Sequence, residues 1–369
     1  MGKSMREIAN QIKDCGKKVQ LIYAFNGTGK TRLSREFKEL IEPKGEETEA
    51  TGVSGKKILY YNAFTEDLFY WDNDLLNDVD IRFKIQPNAF TNWVFSEQGQ
   101  ERKVINHFQT YTNSTIMPKF AADYSEVTFS PGHGSEQNIK ISKGEESNFV
   151  WSIFYSLLEL VIEVLDNPEE EERDTDKFNQ LEYIFIDDPV TSLDDNHLIH
   201  MAVDLAQLIK KSQSDLKFVI TTHSTIFYNV LFNELGNKRA GMLIKNEDGT
   251  FDLENKDGDS NTSFSYHRYL MEIIDNAISE NKIEKFHFIL LRNLYEKTAN
   301  FLGYKNWSDI LPPDGRKSYE TRIMNFYSHQ SLLNEEMKEP TEQEKQMVKF
   351  LFEHLIDNAR FQKEVENDV

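Results

Sequence analysis

Six residues near the N-terminus constrain this chain more than any other feature. Asn26-Gly27-Thr28-Gly29-Lys30-Thr31 follows an apolar run, Val19 to Phe25, and precedes a stretch in which Leu33, Phe37, Leu40 and Ile41 recur at helical spacing. A glycine-rich turn between a strand and a helix is the setting of a phosphate cradle. The glycines let backbone N–H groups turn inward, and the helix start adds its positive end. Lys30 has the reach for the β and γ phosphates of a nucleotide, and the Thr31 hydroxyl is placed for Mg²⁺. Ala24 stands where the spacing usually has its first glycine, so the pattern is slightly degenerate.

Further segments complete the pattern in order. Ile141-Ser142-Lys143-Gly144-Glu145 opens a helix, so the Ser142 hydroxyl and nearby N–H groups suit a γ-phosphate. Tyr183-Ile184-Phe185-Ile186 reads as a buried strand that delivers Asp187 to a Mg²⁺ shell and Asp188 beside it. Ser192-Leu193-Asp194 follows, and His223 comes after the next apolar strand, Phe218 to Thr222. Strands alternate with helices, such as one from Asn196 burying Met201, Leu205, Leu208 and Ile209, which predicts an α/β sheet with a parallel core. This ordered set resembles the ABC-type ATPase head, with Gln86 as a weak Q-loop candidate. The resemblance makes Asn26 to Thr31, Ser142 and Gly144 nucleotide-binding residues, Thr31 and Asp187 the Mg²⁺ ligands, and Asp188 and His223 the hydrolytic residues. Asp188 occupies the place of a glutamate base and is one methylene shorter, which implies slow hydrolysis. It further implies ATP or GTP as ligand and a head-to-tail homodimer, because the signature of one subunit covers the nucleotide of the other.

Composition sets outer limits. One cysteine, Cys15, excludes a disulfide framework and a cysteine-rich zinc site. A net charge of −20 argues against broad binding to nucleic acid, though a local basic site is compatible with it. The acidic run Glu169 to Asp176 reads as a solvated linker. Met1 to Gln20 shows no signal-peptide core, and the apolar stretch Phe149 to Leu165 holds Glu159 and Glu163 and reads as too short for a bilayer. The expectation is a soluble cytoplasmic protein.

The pattern changes near residue 245. Asn246 to Asn261 is rich in turn formers, and only helical periodicity follows, near 264–281, 284–302, 318–328 and 341–359. We therefore expect an ATPase head over 1–250 and an all-α domain over 251–369. A transporter head usually ends soon after the His223 position, and SMC- or Rad50-like chains insert a long coiled coil that is missing here. The segment Lys256 to Tyr266, the opening Met1 to Lys44 and the ABC motifs together resemble the PrrC family of anticodon nucleases over nearly the whole chain, most specifically at Gln20 to Leu33.

That resemblance implies anticodon contacts from Lys256, Asp259, Ser260 and Asn261 to tRNA-Lys, and a HEPN-like nuclease domain whose catalytic set is Arg, Glu four residues on, and a His about thirty further. Two sets qualify: Arg292, Glu296 and His329, or Arg316, Glu320 and His354. His354 falls in register with Met347, Phe350, Leu351 and Leu355 and reads as a core histidine, which favours the first set. His329 also follows Arg322 at the loose spacing of HEPN ribonucleases. The implied chemistry is metal-free attack of a 2′-OH on the adjacent phosphate. The implied setting is anti-phage defence, with latency imposed by a type I restriction–modification complex, assembly as a dimer of dimers, and dTTP as a further candidate ligand. Competing readings are an ABC ATPase of DNA repair or defence with a partner-binding helical domain, and a DNA nuclease of the overcoming-lysogenization kind, for which no acidic metal cluster is evident.

Overall fold

The computed structural model describes residues 2–43, 55–62, 68–72, 81–87, 91, 93–112, 114–132, 138–189, 193, 195–236, 238–246, 248–256, 266–320 and 340–359. The chain forms two compact units, Met1–Ser263 and Phe264–Val369.

The first unit is built on a six-stranded sheet of order β10-β9-β1-β8-β7-β2, made of β1 (Val19–Tyr23), β2 (Ile58–Tyr61), β7 (Tyr183–Asp187), β8 (Lys217–Thr222), β9 (Lys238–Lys245) and β10 (Phe251–Asn255). Every pairing is parallel except β9 with β10. β1 and β7 are buried along their whole length, as strands covered on both faces must be. Helix α1 (Met5–Lys13) packs on α2 (Lys30–Ile41), and their Ile8, Ile12, Leu33 and Phe37 share a core with Ile22 and Phe185 of the sheet.

A second, four-stranded antiparallel sheet runs β3-β4-β6-β5, from β3 (Phe69–Asp72), β4 (Arg82–Ile85), β5 (Met117–Phe120) and β6 (Glu126–Ser130). Its aromatic residues Phe83 and Phe129 meet Phe108 of α3 (Glu101–Thr112) and Phe149 of α4 (Lys143–Leu165). α4 has 23 residues, so it is long and apolar enough to cross a membrane, contrary to the length argument from sequence. Its most apolar window is 83% buried inside the protein, which makes it a core helix. Helices α5 (Asp195–Lys211) and α6 (Thr225–Glu234) pack on each other and flank β8 in the chain. Met201, Leu205, Leu208 and Ile209 of α5 are all buried.

The boundary falls later than position 250. Phe251–Asn255 is a strand paired with β9, and its Phe251 N–H and C=O also exchange bonds with Lys3 at 2.7 and 2.8 Å. Cutting after 250 would expose that edge, so the hairpin belongs to the first unit.

The second unit is helical in its described residues: α7 (Tyr266–Ser279), α8 (Lys285–Phe301), a 3₁₀ turn Trp307–Ile310, a one-turn helix Arg316–Tyr319 and α9 (Glu342–Ala359). Leu270, Ile274, Leu291, Leu294, Leu351 and Leu355 form its core. The buried Tyr295 hydroxyl donates to the Leu351 carbonyl at 2.8 Å and fixes α8 to α9. The part of the expected 318–328 helix beyond residue 320 lies outside the described residues.

Candidate functional site

The strand order brings the scattered motifs together. β8 lies between β1 and β7, with Thr221 opposite Asp187 and Thr222 opposite Tyr23. The segments leaving the carboxyl ends of these three strands are the glycine loop, Asp188 and His223. Open α/β sheets bind ligands at that edge.

In the loop, Gly27 and Gly29 have φ of 81° and 112°, a region that favours glycine. Space for a Cβ is open at Gly27, while one at Gly29 would come within 3.0 Å of the Met5 side chain. Ala24 needs no such freedom. It is absent from the positive-φ positions, is buried, and donates to the Thr222 carbonyl at 2.9 Å. α2 starts with no side-chain cap, leaving its first N–H groups to the loop's concavity.

Lys30 is 7% exposed and points back into the loop. Its ammonium donates to the Ala24 carbonyl at 3.2 Å and Asn26 Oδ1 at 3.1 Å, and pairs with Asp188 at 3.2 Å. Asp188 also meets His223 Nδ1 at 2.7 Å and accepts from the His223 N–H at 3.2 Å. Burial alone would raise the Asp188 carboxyl, but the His223 hydrogen bond and the Lys30 charge together hold it below the usual carboxylate range. Asp188 has φ of 53°, a left-handed conformation that costs a non-glycine residue energy and marks a position fixed by its partners.

Asp187 faces the other way. It is 2% exposed, accepts from Thr221 Oγ1 at 2.6 Å and from Ser34 Oγ at 3.2 Å, and its carboxyl is pushed up by burial, with Asp188 adding to the effect. Thr31 also hydrogen-bonds it. Ser34, Thr221 and Tyr60, whose hydroxyl lies 2.5 Å from Ser34 Oγ, form a support that sequence reading missed. Ser34 was legible in principle, since it lies one helical turn beyond Thr31 on the buried face of α2. A group of glycine N–H donors, a buried lysine, a hydroxyl and two carboxylates fits a nucleoside phosphate with a divalent cation.

Ser142 is the N-cap of α4: its Oγ accepts from the Glu145 N–H at 3.3 Å, and Glu145 accepts from the Ser142 N–H at 2.7 Å. Ser142 is exposed and Gly144 half-buried in the same first turn. Glu146 anchors this turn by accepting from the Trp71 indole and pairing with Lys143. Gln86 follows β4 directly and donates its N–H to the Leu68 carbonyl at 2.8 Å. Ser192 and Asp194 lie outside the described residues.

In the helical unit, Arg292 Nε donates to Glu296 at 2.8 Å along α8, and the Arg292 guanidinium lies over the Trp307 ring, 5.6 Å from its centroid. The pair is half-buried, Arg292 at 19% and Glu296 at 36% side-chain exposure. His329 lies outside the described residues. Of the second set, Arg316 is held by the Asp309 carbonyl at 3.1 Å and its carboxylate at 3.7 Å. His354 is not the core histidine expected: it is half-buried, stacked on the exposed Phe350 at 6.4 Å and bonded to Asn358. The apolar register places its backbone on α9, but the ring sits at the margin of the buried stripe. Lys256 follows β10, where its N–H donates to the Ala240 carbonyl and its ammonium pairs with Glu254 at 3.2 Å. Asp259, Ser260 and Asn261 lie outside the described residues.

A curated relative, "Anticodon nuclease" of Escherichia coli, is 54% identical over 396 aligned positions that cover 100% of both chains. No protein-family model matches the chain. Among solved structures, the SmcHead bound to the C-winged helix domain of ScpA aligns over 68% of this chain and 93% of its own, at 9% identity and a TM-score of 0.35.

Proposed function

The chain belongs to the anticodon nuclease family, and we propose that it is a nucleotide-regulated tRNA endonuclease that cuts tRNA-Lys at the wobble position. The observation that carries this reading is the Arg292–Glu296 pair, half-buried on a helix fixed to its neighbour, in a chain matched end to end by an anticodon nuclease. Glu296 and His329 divide the acid–base work. One takes the proton of the 2′-OH as that oxygen attacks phosphorus, and the other gives a proton to the departing 5′-oxygen. The products are a 2′,3′-cyclic phosphate and a 5′-OH, and such groups typically contribute about 10²–10⁴-fold. Arg292 neutralises the charge that builds on the phosphorane. An unpaired loop is a suitable target because its base edges are accessible, and Lys256, Asp259, Ser260 and Asn261 are the proposed readers of the anticodon.

The first unit is the proposed ABC-type regulator. Asn26 to Thr31 hold the phosphates of ATP or GTP, with dTTP a further candidate, and Thr31 and Asp187 hold Mg²⁺. Bound there, the nucleotide supplies a hydrolysable phosphoanhydride. Lys30 exchanges its Asp188 partner for phosphate oxygen, which leaves Asp188 on His223 to orient a water. Ser142 and Gly144 of a second copy close the site, so nucleotide favours a head-to-tail dimer of the kind that assembles into a dimer of dimers. In the cell we propose an anti-phage role in the cytoplasm, with latency imposed by a type I restriction–modification complex.

The test is to express the chain, extract total tRNA and map 5′-OH ends. Breaks at the wobble position of tRNA-Lys are expected, persisting in EDTA once nucleotide is loaded. His329→Ala is expected to abolish them while nucleotide binding stays intact. Absence of cleavage in every anticodon sinks the reading.

A further inference from the structure

We propose that Arg32 holds the nucleoside of the bound nucleotide, the base stacking on a guanidinium that itself lies against the Phe251 ring. The inference rests on the nucleotide-binding reading of the glycine loop given above.

The sheet order gives the phosphate chain a direction. β1 delivers the glycine loop, and on one flank β8 and β7 bring His223, Asp187 and Asp188 to the γ end. β9 and β10 lie on the other flank. Phosphates anchored by Lys30 and by a cation at Asp187 therefore turn their nucleoside end away from β7, towards β10 and the first turn of α2. The first backbone bond of α2 runs from the Leu33 N–H to the Gly29 carbonyl at 2.9 Å. The N–H groups of Lys30, Thr31 and Arg32 come before it and serve as phosphate donors. Arg32 is the last of the three, so its side chain stands where the phosphates end and the nucleoside begins.

Phe251 of β10 occupies that flank. It is 3% exposed, its N–H and C=O are bonded to Lys3, and its ring lies close to the loop: a Cβ at Gly29 would be 3.0 Å from the Met5 side chain and 3.7 Å from the Phe251 ring. Arg32 rests on the same ring, with 5.6 Å from its guanidinium carbon to the centroid, a distance at which a cation is attracted to the face. Glu36, four residues on, is the usual kind of partner for an arginine in a helix, but it pairs with Arg6 at 3.6 Å. Among the described residues no carboxylate pairs with Arg32, and the residue is exposed. A flat cation backed by an aromatic ring and open to solvent thus sits at the mouth of the loop. Guanidinium planes stack on aromatic faces, those of bases included. Purines and pyrimidines both offer such a face, so the contact secures the nucleoside without choosing the base.

The test measures binding of MgATP, MgGTP and magnesium tripolyphosphate to the full chain by calorimetry. Tripolyphosphate carries the phosphates without a nucleoside. Arg32→Met keeps the apolar stem and removes the charged plane; Arg32→Lys keeps the charge and removes the plane. We expect both variants to bind the two nucleotides roughly tenfold more weakly, to bind tripolyphosphate as wild type does, and to melt at the wild-type temperature. Wild-type affinity for both nucleotides in Arg32→Met overturns the proposal. An equal loss for nucleotides and tripolyphosphate also overturns it, because Arg32 then acts on phosphate charge. So does full recovery in Arg32→Lys, which has no plane to stack on. A wild-type chain that binds none of the three ligands instead sinks the nucleotide reading, and this inference falls with it.

Discussion

Adjacent carboxylates at the end of β7 carry opposite burdens. Asp187 is buried among hydroxyls beside a second acid, and its carboxyl is pushed up by burial; Asp188 is held low by His223 and Lys30 despite its own burial. For Asp187, whose folded value is raised, the cost is absent below the ordinary carboxylate pKa of about 4 and is fully present once pH exceeds the raised value. For Asp188, whose folded value is depressed, the benefit is present above about pH 4 and is lost as pH falls through the lower folded value. Asp187→Asn is therefore expected to raise the melting temperature at neutral pH by about 1–2 °C, roughly the shift that ~1 kcal/mol produces in a chain of this size, while abolishing Mg²⁺–nucleotide binding. Asp188→Asn should lower it, and both differences should close in acid. Melting curves of the two variants from pH 3 to 8 check this; like signs at pH 7 would refute the assignment. The sequence reveals that both acids belong at a strand end. It hides their division of labour, because that depends on Thr221, Ser34 and His223 arriving from elsewhere in the sheet.

Elements were legible where the hydrophobic period is long. Helix α5 and strands β1, β7 and β8 appear in the sequence almost as they fold, since a buried strand or a four-turn apolar stripe tolerates few alternatives. The short strands β3 to β6, of four or five residues each, did not, because their burial alternates over too short a span and their core is completed by aromatics from α3 and α4. Helix α1 was missed although Ser4 and Glu7 form a capping box, a signal that was available. The N-cap of α4 gives an element-scale test, because Ser142 has a structural task and a proposed phosphate-binding one. Ser142→Ala should cost about 1 kcal/mol of stability through the lost cap and also remove nucleotide-driven dimerisation. Ser142→Asp keeps a capping oxygen but sets a negative charge against the phosphate, so stability should return while dimerisation does not. Thermal melts and light scattering with and without nucleotide read the two effects apart. A dimer that forms normally in the aspartate variant would remove Ser142 from the nucleotide site.

At the scale of the molecule the acidity is uneven. The helical unit holds 14 Lys and Arg against 18 Asp and Glu, a net −4 of the chain's −20, so most of the excess negative charge belongs to the first unit. A polyanionic substrate is thus repelled by most of the chain and least by the unit that carries Arg292. Such a protein cannot collect tRNA through a general basic surface. Its recognition must come from a few charge contacts together with stacking and base-edge bonds, which release few counterions. The salt dependence of tRNA capture should accordingly be shallow. For single-stranded contacts the slope of log K against log salt is about −0.7 per neutralised phosphate, so two or three contacts give a slope of roughly −1.5 to −2. Measuring kcat/KM for tRNA cleavage between 50 and 200 mM salt, roughly the range over which such slopes are resolved, tests this directly. A slope steeper than about −5 would mean that many basic residues converge on the substrate and that the acidic balance is no guide to how this nuclease selects its RNA.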